Sequence, residues 1–384
     1  MNAIGPAERF DVSIVSDTAE LPADWPRRAG EADCHVFQLA PYLALLARTM
    51  GRVDGRRLHF VSVRDESGAP LLFLALASWP VGPFRVLGFA DFDVSDYNGP
   101  ALDARAGAWS PERARALWQA IAARLPPHDF VTLEKMPETI NGRINPLCLL
   151  GAVRDEEDGH GNDLRAGRAA VMARQSQVKT TQRVIRKLER EAGLRLVIAE
   201  TEAERTRFIK AAIAHKQRRF DETKLGGFHA EPEKRAFFEE GTEALAEAGL
   251  LHFAALEIGG EIAATSWNLV LGRRLYAMML GFDDGQWSRF GPSRLLNFLL
   301  LERLLEEGFD FYDLGVGDEA YKVGQCETAI ALYRVRFATT ARGRIYQTLA
   351  ETRERLRRTR AWQRLREAKW HVKTALRRRG ALRS

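Results

Sequence analysis

Two tripeptides recur at a single offset, and that recurrence constrains the fold more than any other feature of the sequence. Leu58-His59-Phe60 returns as Leu251-His252-Phe253, and Leu87-Gly88-Phe89 returns as Leu280-Gly281-Phe282, each pair 193 residues apart. Between the matched runs both copies have the same grammar, a strand, a glycine turn and more strand, as in a β-hairpin. After each Leu-Gly-Phe come a loop, a helix and another strand. The first helix opens on Ser110-Pro111-Glu112, a capping serine with proline at the first helical position. The second opens near Gly291-Pro292-Ser293 and ends at Gly308, before a strand from Phe309 to Leu314. A chain of 384 residues also exceeds what one ordinary core uses. The expectation is a duplicated α/β unit.

The copies agree upstream of their hairpins as well. The first has a helix near Val36 to Thr49. The second has a helix from about Val178 to Glu191, a strand from Leu194 to Ala199, a helix from Thr201 with Glu202 and Glu204 in its first turn, and another from about Glu231 to Glu247. The Gly- and Asp-rich stretch from Cys148 to Gly167 reads as the join. The expected division is a first domain over residues 1–160, a second over 168–346, and a basic helical tail over 347–384.

Charge is divided unevenly. Residues 341–384 hold 15 Lys and Arg against 3 Asp and Glu, whereas the preceding 340 residues hold 42 basic and 48 acidic groups. Partners suggested by the net charge of +6 are therefore partners of the tail alone. With Trp362, Leu365, Trp370 and Leu376 among its arginines, the tail suits either contact with an anionic membrane surface or simple packing on the body. Its ragged apolar spacing favours packing. Nucleic-acid binding is disfavoured, because no recognised motif accompanies the charge. The longest strongly apolar run, Leu71 to Trp79, is about half of what a spanning helix needs. No signal peptide is visible, and Cys34, Cys148 and Cys326 are few and dispersed; the expected location is cytoplasmic, at most peripheral to the inner membrane. The scattered histidines and the absence of an HExxH or paired-Cys pattern give no support for a metal site, and no GxSxG elbow or Walker loop occurs.

Strand, hairpin, long strand, loop, helix, strand is the order of the GNAT acyltransferase fold, and Tyr276 to Val335 resembles that family. More narrowly, the chain resembles the duplicated GNAT branch that contains acetyltransferases of cellulose and exopolysaccharide gene clusters, relatives of the Fem peptidyltransferases. The signals are Gly317-Asp318-Glu319-Ala320-Tyr321-Lys322 after a strand, His215 to Phe220, Trp287 to Ser293, and Ser95-Asp96-Tyr97-Asn98-Gly99-Pro100. The implied fold is two tandem GNAT-like domains, each a mixed, mainly antiparallel sheet flanked by helices. The implied activity is direct acyl transfer from acetyl-CoA or another acyl-CoA, without a metal, to an amino sugar, a polysaccharide precursor or a related envelope metabolite. By the same resemblance Leu280, Arg289, Gly291 and Ser293 hold the cofactor at a helix start. The phosphate loop departs from the family pattern, with Ser288 at the position of the usual Gln or Arg and Arg289 one place later.

Asp313 and Asp318 flank a glycine-rich strand exit, where carboxylates suit deprotonation of an incoming amine or hydroxyl. Tyr321 is the candidate acid for the leaving thiolate. Asp96, Tyr97, His215, Lys216 and Lys322 are candidate acceptor-binding residues, the first two in an inter-domain groove contributed by a first copy that has lost cofactor binding. All but Lys216 have a structural alternative: Asp313 pairing with a Lys or Arg, Asp318 capping a turn, Tyr321 packing, Lys322 pairing with Asp318 or Glu319, Asp96 and Tyr97 forming a rigid Asp-Tyr-Asn-Gly turn, His215 merely packed or solvated. Two other functions stay open, a Fem-like transferase using aminoacyl-tRNA and a non-catalytic component of envelope synthesis.

Overall fold

The structure, a computed structural model, describes residues 9–223 and 226–357, without the side chains of Ala320, Tyr321 and Arg357. The first unit supplies β1 (Asp11–Val15), α1 (Ala40–Arg48), β2 (Arg57–Arg64), β3 (Pro70–Val81), β4 (Phe84–Phe89), α2 (Pro111–Ala122) and β5 (Phe130–Pro137). Two short strands follow, β6 (Val153–Arg154) and β7 (Gly159–Asp163). The second unit runs through α3 (Val178–Ala192), β8 (Arg195–Ile198), α4 (Glu202–Thr223), α5 (Pro232–Glu247), β9 (Leu251–Ile258), β10 (Glu261–Leu271) and β11 (Arg274–Phe282). It continues through α6 (Pro292–Glu306), β12 (Phe311–Val316), α7 (Ala320–Gln325), β13 (Thr328–Ile330), β14 (Leu332–Ala338) and α8 (Ala341–Arg357).

Local chemistry accounts for the element starts. Ser110 Oγ accepts the Arg113 backbone N–H at 3.2 Å and Pro111 follows it, opening α2. Thr201 Oγ1 accepts the Glu204 N–H at 3.2 Å while Glu204 accepts the Thr201 N–H at 3.0 Å, a reciprocal cap for α4. The turn from β9 to β10 uses Gly259 and Gly260 at φ +63° and +83°, values that glycine tolerates without strain.

The last strands are exchanged between the units. The first sheet has the order β1-β2-β3-β4-β5-β14-β6, and the second β8-β9-β10-β11-β12-β7-β13. Thus β14, late in the chain, pairs antiparallel with β5 of the first unit (Leu332 with Pro137, Ala338 with Phe130). Reciprocally, β7 pairs antiparallel with β12 of the second (Asp163 with Phe311, Asn162 with Tyr312). This exchange crosses the boundary expected at residues 160–168.

Alternate residues of each strand go to different cores. Phe60 and Phe73 face a central core shared with Phe208, Phe237, Phe253 and Trp267, while Val61, Val63, Leu72 and Leu74 face α2. Ala254, Leu256 and Ile258 face the third core, with α3 and α6. Sheets covered on both faces account for the near-continuous apolar run of β3. Because the central core draws on both units, they pack as one body rather than as beads on a linker.

Helix α8 lies on the first sheet, with the Tyr346 ring 5.3 Å from Phe84 and 5.0 Å from Phe130. The described part of the expected tail is therefore a continuation of a packed helix, and its remainder, 358–384, lies outside the described residues. Among the described residues no helix is long and apolar enough to cross a membrane.

Candidate active site

The two units differ in how far their parallel strands stay together. In the first, β4 pairs with β5 through Val86–Phe130, Leu87–Val131 and Gly88–Thr132, so pairing reaches the repeated Leu-Gly-Phe. A Cβ on Gly88 would lie 2.7 Å from the Thr132 carbonyl oxygen, so these strands are closed together. In the second, pairing of β11 with β12 covers Arg274–Phe311, Leu275–Tyr312 and Tyr276–Asp313, and stops there. At Gly281, the repeat partner of Gly88, the three atoms nearest a Cβ would belong to Thr265, His215 and Ala212, none of them on β12. A β-bulge at Met278, between the Trp267 and Asn268 registers, bends β11 where it leaves β12.

The parting leaves two adjoining cavities. One, of 460 Å³, is lined by His215, Lys216 and Arg219 of α4, by Leu280, Gly281 and Phe282 of β11, by Ser293, Arg294 and Asn297 of α6, and by Glu319 and Gln325. The other, of 190 Å³, shares Lys216, Leu280, Asn297 and Glu319 and adds Asp96, Ser266, Gly315, Val316 and Lys322. At the corresponding place in the first unit is a 280 Å³ cavity where the Lys135–Asp91 ion pair, at 3.1 Å, and Arg56 over the Phe92 ring occupy the wall. A larger space of 970 Å³ lies under α8, but two of its three arginines are engaged: Arg336 with Glu134 and Glu354, Arg334 with Asp155 and Glu354.

With its one parallel strand pair, β11 and β12, open at the carboxyl end and a helix amino terminus beside it, the second unit has the geometry of a nucleotide-cofactor site. Residues 175–323 match the model of the acetyltransferase (GNAT) domain. That stretch is a GNAT domain. The match marks the chain as an acyltransferase, and the fold is two tandem GNAT-like units, as expected from the sequence. FemX overlays 88% of this chain and 99% of its own with a TM-score of 0.55 at 10% identity. A conserved protein of unknown function from Bacteroides thetaiotaomicron VPI-5482 overlays 77% and 88% with a TM-score of 0.50 at 11% identity. At such identities the likeness is one of fold. Among curated proteins none matches the chain.

The GNAT frame brings together some of the anticipated residues and separates others. Leu280, Ser293, His215, Lys216 and Lys322 line the cleft, as does Asp96, which arrives from the first unit. Gly291 takes φ +68° at the start of α6. Arg289 lies against the Phe290 ring, 4.9 Å from its centre, and is not among the lining residues; the cation at the helix start is Arg294, whose Nη1 donates to Gln177 Oε1 at 3.0 Å.

Asp313, anticipated as a proton acceptor, has its lone pairs engaged. Oδ1 accepts the Tyr97 hydroxyl and the Gly315 N–H, both at 2.8 Å, and Oδ2 accepts Arg274 Nη2 at 2.5 Å. The carboxylate is fully buried, so its structural alternative, pairing with an arginine, is the arrangement observed. Tyr97, anticipated in the acceptor groove, is also fully buried: burial and then the Asp313 charge push its phenol well above the ordinary range. It joins the units instead of lining the cleft. Asp318 is half-exposed and accepts His160 Nε2 at 2.8 Å, a bond that holds its carboxyl below the usual value. His160 stands on exchanged strand β7 opposite a bulge of β12, where Leu314 and Gly315 face it. Tyr321 stands in the first turn of α7, and its side chain lies outside the described residues.

Lys322 Nζ donates to the Val316 carbonyl at 2.7 Å and pairs with Glu319 at 3.0 Å. Burial lowers the pKa of Lys216, Lys322 and Arg219 lower it further, and Glu319 opposes them. Burial also lowers His215, whose Nδ1 is buried without a partner. Sequence reasoning missed Asn297, Ser266 and Arg294 as cleft residues and Arg274 as the counter-ion of Asp313. Asn297 sits one helical turn beyond Ser293, a spacing that could have pointed to it.

Proposed function

We propose that the protein is an acyl-CoA-dependent acyltransferase that moves an acyl group directly to an amine or hydroxyl of an amino sugar, polysaccharide precursor or related envelope metabolite. The observation that carries this reading is the separation of β11 from β12 beyond Tyr276 and Asp313, against the closed strands of the first unit. In this reading the thioester lies along the unpaired edge of β11 near Leu280, and the pyrophosphate meets Ser293, Arg294 and the amino end of α6. The acceptor takes the polar end of the cleft, where Asp96, Ser266, Asn297, Glu319 and Lys322 offer both donors and acceptors to a polyhydroxylated molecule. The nucleophile forms the new C–N or C–O bond, and the C–S bond breaks to release the thiol. Tyr321 is retained as the proposed proton donor to that thiol. The cellulose and exopolysaccharide assignment rests on the run Gly317 to Lys322, which forms the exit of β12 and the start of α7. The reaction is placed in the cytoplasm, with residues 358–384 available to anionic lipid through 10 basic groups against one acidic.

Isothermal titration with acetyl-CoA tests the reading. Binding, with competition by free CoA, is the expected outcome. Absence of binding by acetyl-, succinyl- and longer acyl-CoA would remove it. Tighter binding of aminoacyl-tRNA than of any acyl-CoA would instead favour the tRNA-dependent alternative, to which the same basic residues are suited.

A further inference from the structure

The loop after β4 of the first unit is built to hold one carboxylate in the second unit's cleft. The loop is tied to its own unit at the residues flanking Asp96. The Tyr42 hydroxyl donates to the Val94 carbonyl at 2.5 Å and contacts Ser95 Oγ at 3.1 Å. Lys135 Nζ donates to the Ser95 carbonyl at 3.1 Å, Gln38 Nε2 to the Tyr97 carbonyl at 3.0 Å, and the Asn98 backbone N–H to the Lys135 carbonyl at 2.9 Å. The Asp96 side chain leaves this frame and lines the 190 Å³ cavity with Lys216, Asn297 and Glu319. Gly315 makes room for it: a Cβ there would stand 2.6 Å from Asp96 Oδ2, and Gly315 has φ +76°.

We propose that Asp96, carried by the first unit, is the proton acceptor for the incoming nucleophile in the second unit's cleft. This rests on the acyltransferase reading. An acceptor ammonium gives one proton to the Asp96 carboxylate, and the freed lone pair attacks the thioester carbonyl. The C–N bond forms, the C–S bond breaks, the remaining excess proton goes to the thiolate, and Asp96 returns its proton to solvent. The surroundings tune the group for that exchange. Burial raises its pKa to about 6 and the Asp313 carboxylate adds to the rise, opposed by Lys135, Lys322 and the Val316 N–H. Asp91 and Asp93 on its own loop face Lys135 at 3.1 and 3.8 Å, while Lys216 on α4 and Glu319 before α7 line the cavity with it. The first unit, closed to a cofactor of its own, thereby contributes to the chemistry of its neighbour.

The test uses the full chain, acetyl-CoA as donor and both glucosamine and water as acceptors, with thiol release followed from pH 5 to 9. Calorimetry of acetyl-CoA comes first: wild type that fails to bind removes the acyltransferase reading itself. Given binding, the wild-type rate is expected to rise with a midpoint near pH 6. Asp96→Asn is expected to bind acetyl-CoA as wild type does, lose that limb, and turn over about 100-fold more slowly. Asp96→Ala is expected to regain rate as formate is added, a rescue that a merely structural carboxylate would not give. The proposal is overturned if bound acetyl-CoA releases thiol in Asp96→Asn within twofold of wild type, if wild-type release has no acid limb, or if formate leaves a folded Asp96→Ala unchanged.

Discussion

Tyr97 Oη donates to Asp313 Oδ1 at 2.8 Å, joining a loop of the first unit to the fifth main strand of the second. Arg274, paired to the other oxygen, lies over the Tyr97 and Tyr276 rings at 5.4 and 5.0 Å, so the join is a closed buried network. Tyr97→Phe leaves one carboxylate lone pair unmet and is expected to cost about 1–3 kcal/mol in urea unfolding. Arg274→Met leaves a buried charge unpaired and is expected to cost about 3–5 kcal/mol. Equal, near-zero losses for both would contradict the network.

Gly281 forms part of the cleft wall, with Thr265 Oγ1 at 3.0 Å and the Ala212 carbonyl at 3.3 Å from a built Cβ. Gly281→Val is expected to destabilise by about 1–3 kcal/mol through overpacking, and to weaken acetyl-CoA binding at least tenfold by calorimetry. Gly324→Ala, on helix α7 with open space around it, serves as the matched control and is expected to leave binding unchanged.

The raised carboxyl of Asp96 makes stability depend on pH in a stated direction. Its folded value, about 6, exceeds the unfolded 3.8, so its contribution is fully present below pH 4 and lost as pH rises through 6. The loss is on the order of 3 kcal/mol for a shift of about two pH units. Asp96→Asn removes it. Chemical denaturation is therefore expected to find the variant no more stable than wild type at pH 4 but more stable at pH 8. A constant difference across that range would refute the assignment.

Asp318 is half-exposed and lies outside the cleft lining, so its pair with His160 carries little stability. Asp318→Asn is expected to change unfolding free energy by less than about 1 kcal/mol. Its kcat is expected to stay within a few-fold of wild type, in contrast to Asp96→Asn. A loss of turnover as large as that of Asp96→Asn would return Asp318 to the chemistry.

Cutting the chain after Tyr346 would remove most of α8, including Leu349 and Ala350 beside the first sheet. Cutting after Arg357 keeps the described helix and removes 10 basic residues. The shorter protein is expected to keep acetyl-CoA binding and to lose sedimentation with phosphatidylglycerol vesicles. Retained sedimentation would place lipid contact elsewhere or nowhere.

Much of the fold was legible because it is local. Ser110 with Pro111 and Thr201 with Glu204 announce helices through caps that reach only three residues, and the matched Leu-Gly-Phe runs mark the same strand end in both copies. The candidate site was legible in part. His215, Lys216, Leu280, Ser293 and Lys322 belong to elements that the GNAT order already sets around one cleft. Asp313 misled because a carboxylate at a strand exit looks the same in sequence whether it faces solvent or Arg274, 39 residues away.

The sequence by itself determined the duplication, the order of strands and helices within each copy, and where the basic charge lies, since these depend on periodicity, capping and composition along the chain. Tertiary structure alone decided that β7 and β14 change places, that β11 and β12 separate while β4 and β5 close, and that Asp96 lines the cleft while its neighbour Tyr97 is buried against Asp313. Any strand edge offers the same N–H and C=O groups to any partner, so which edge is taken depends on the side chains that the whole core must bury. The environment of a carboxylate, and with it its chemistry, follows from that choice.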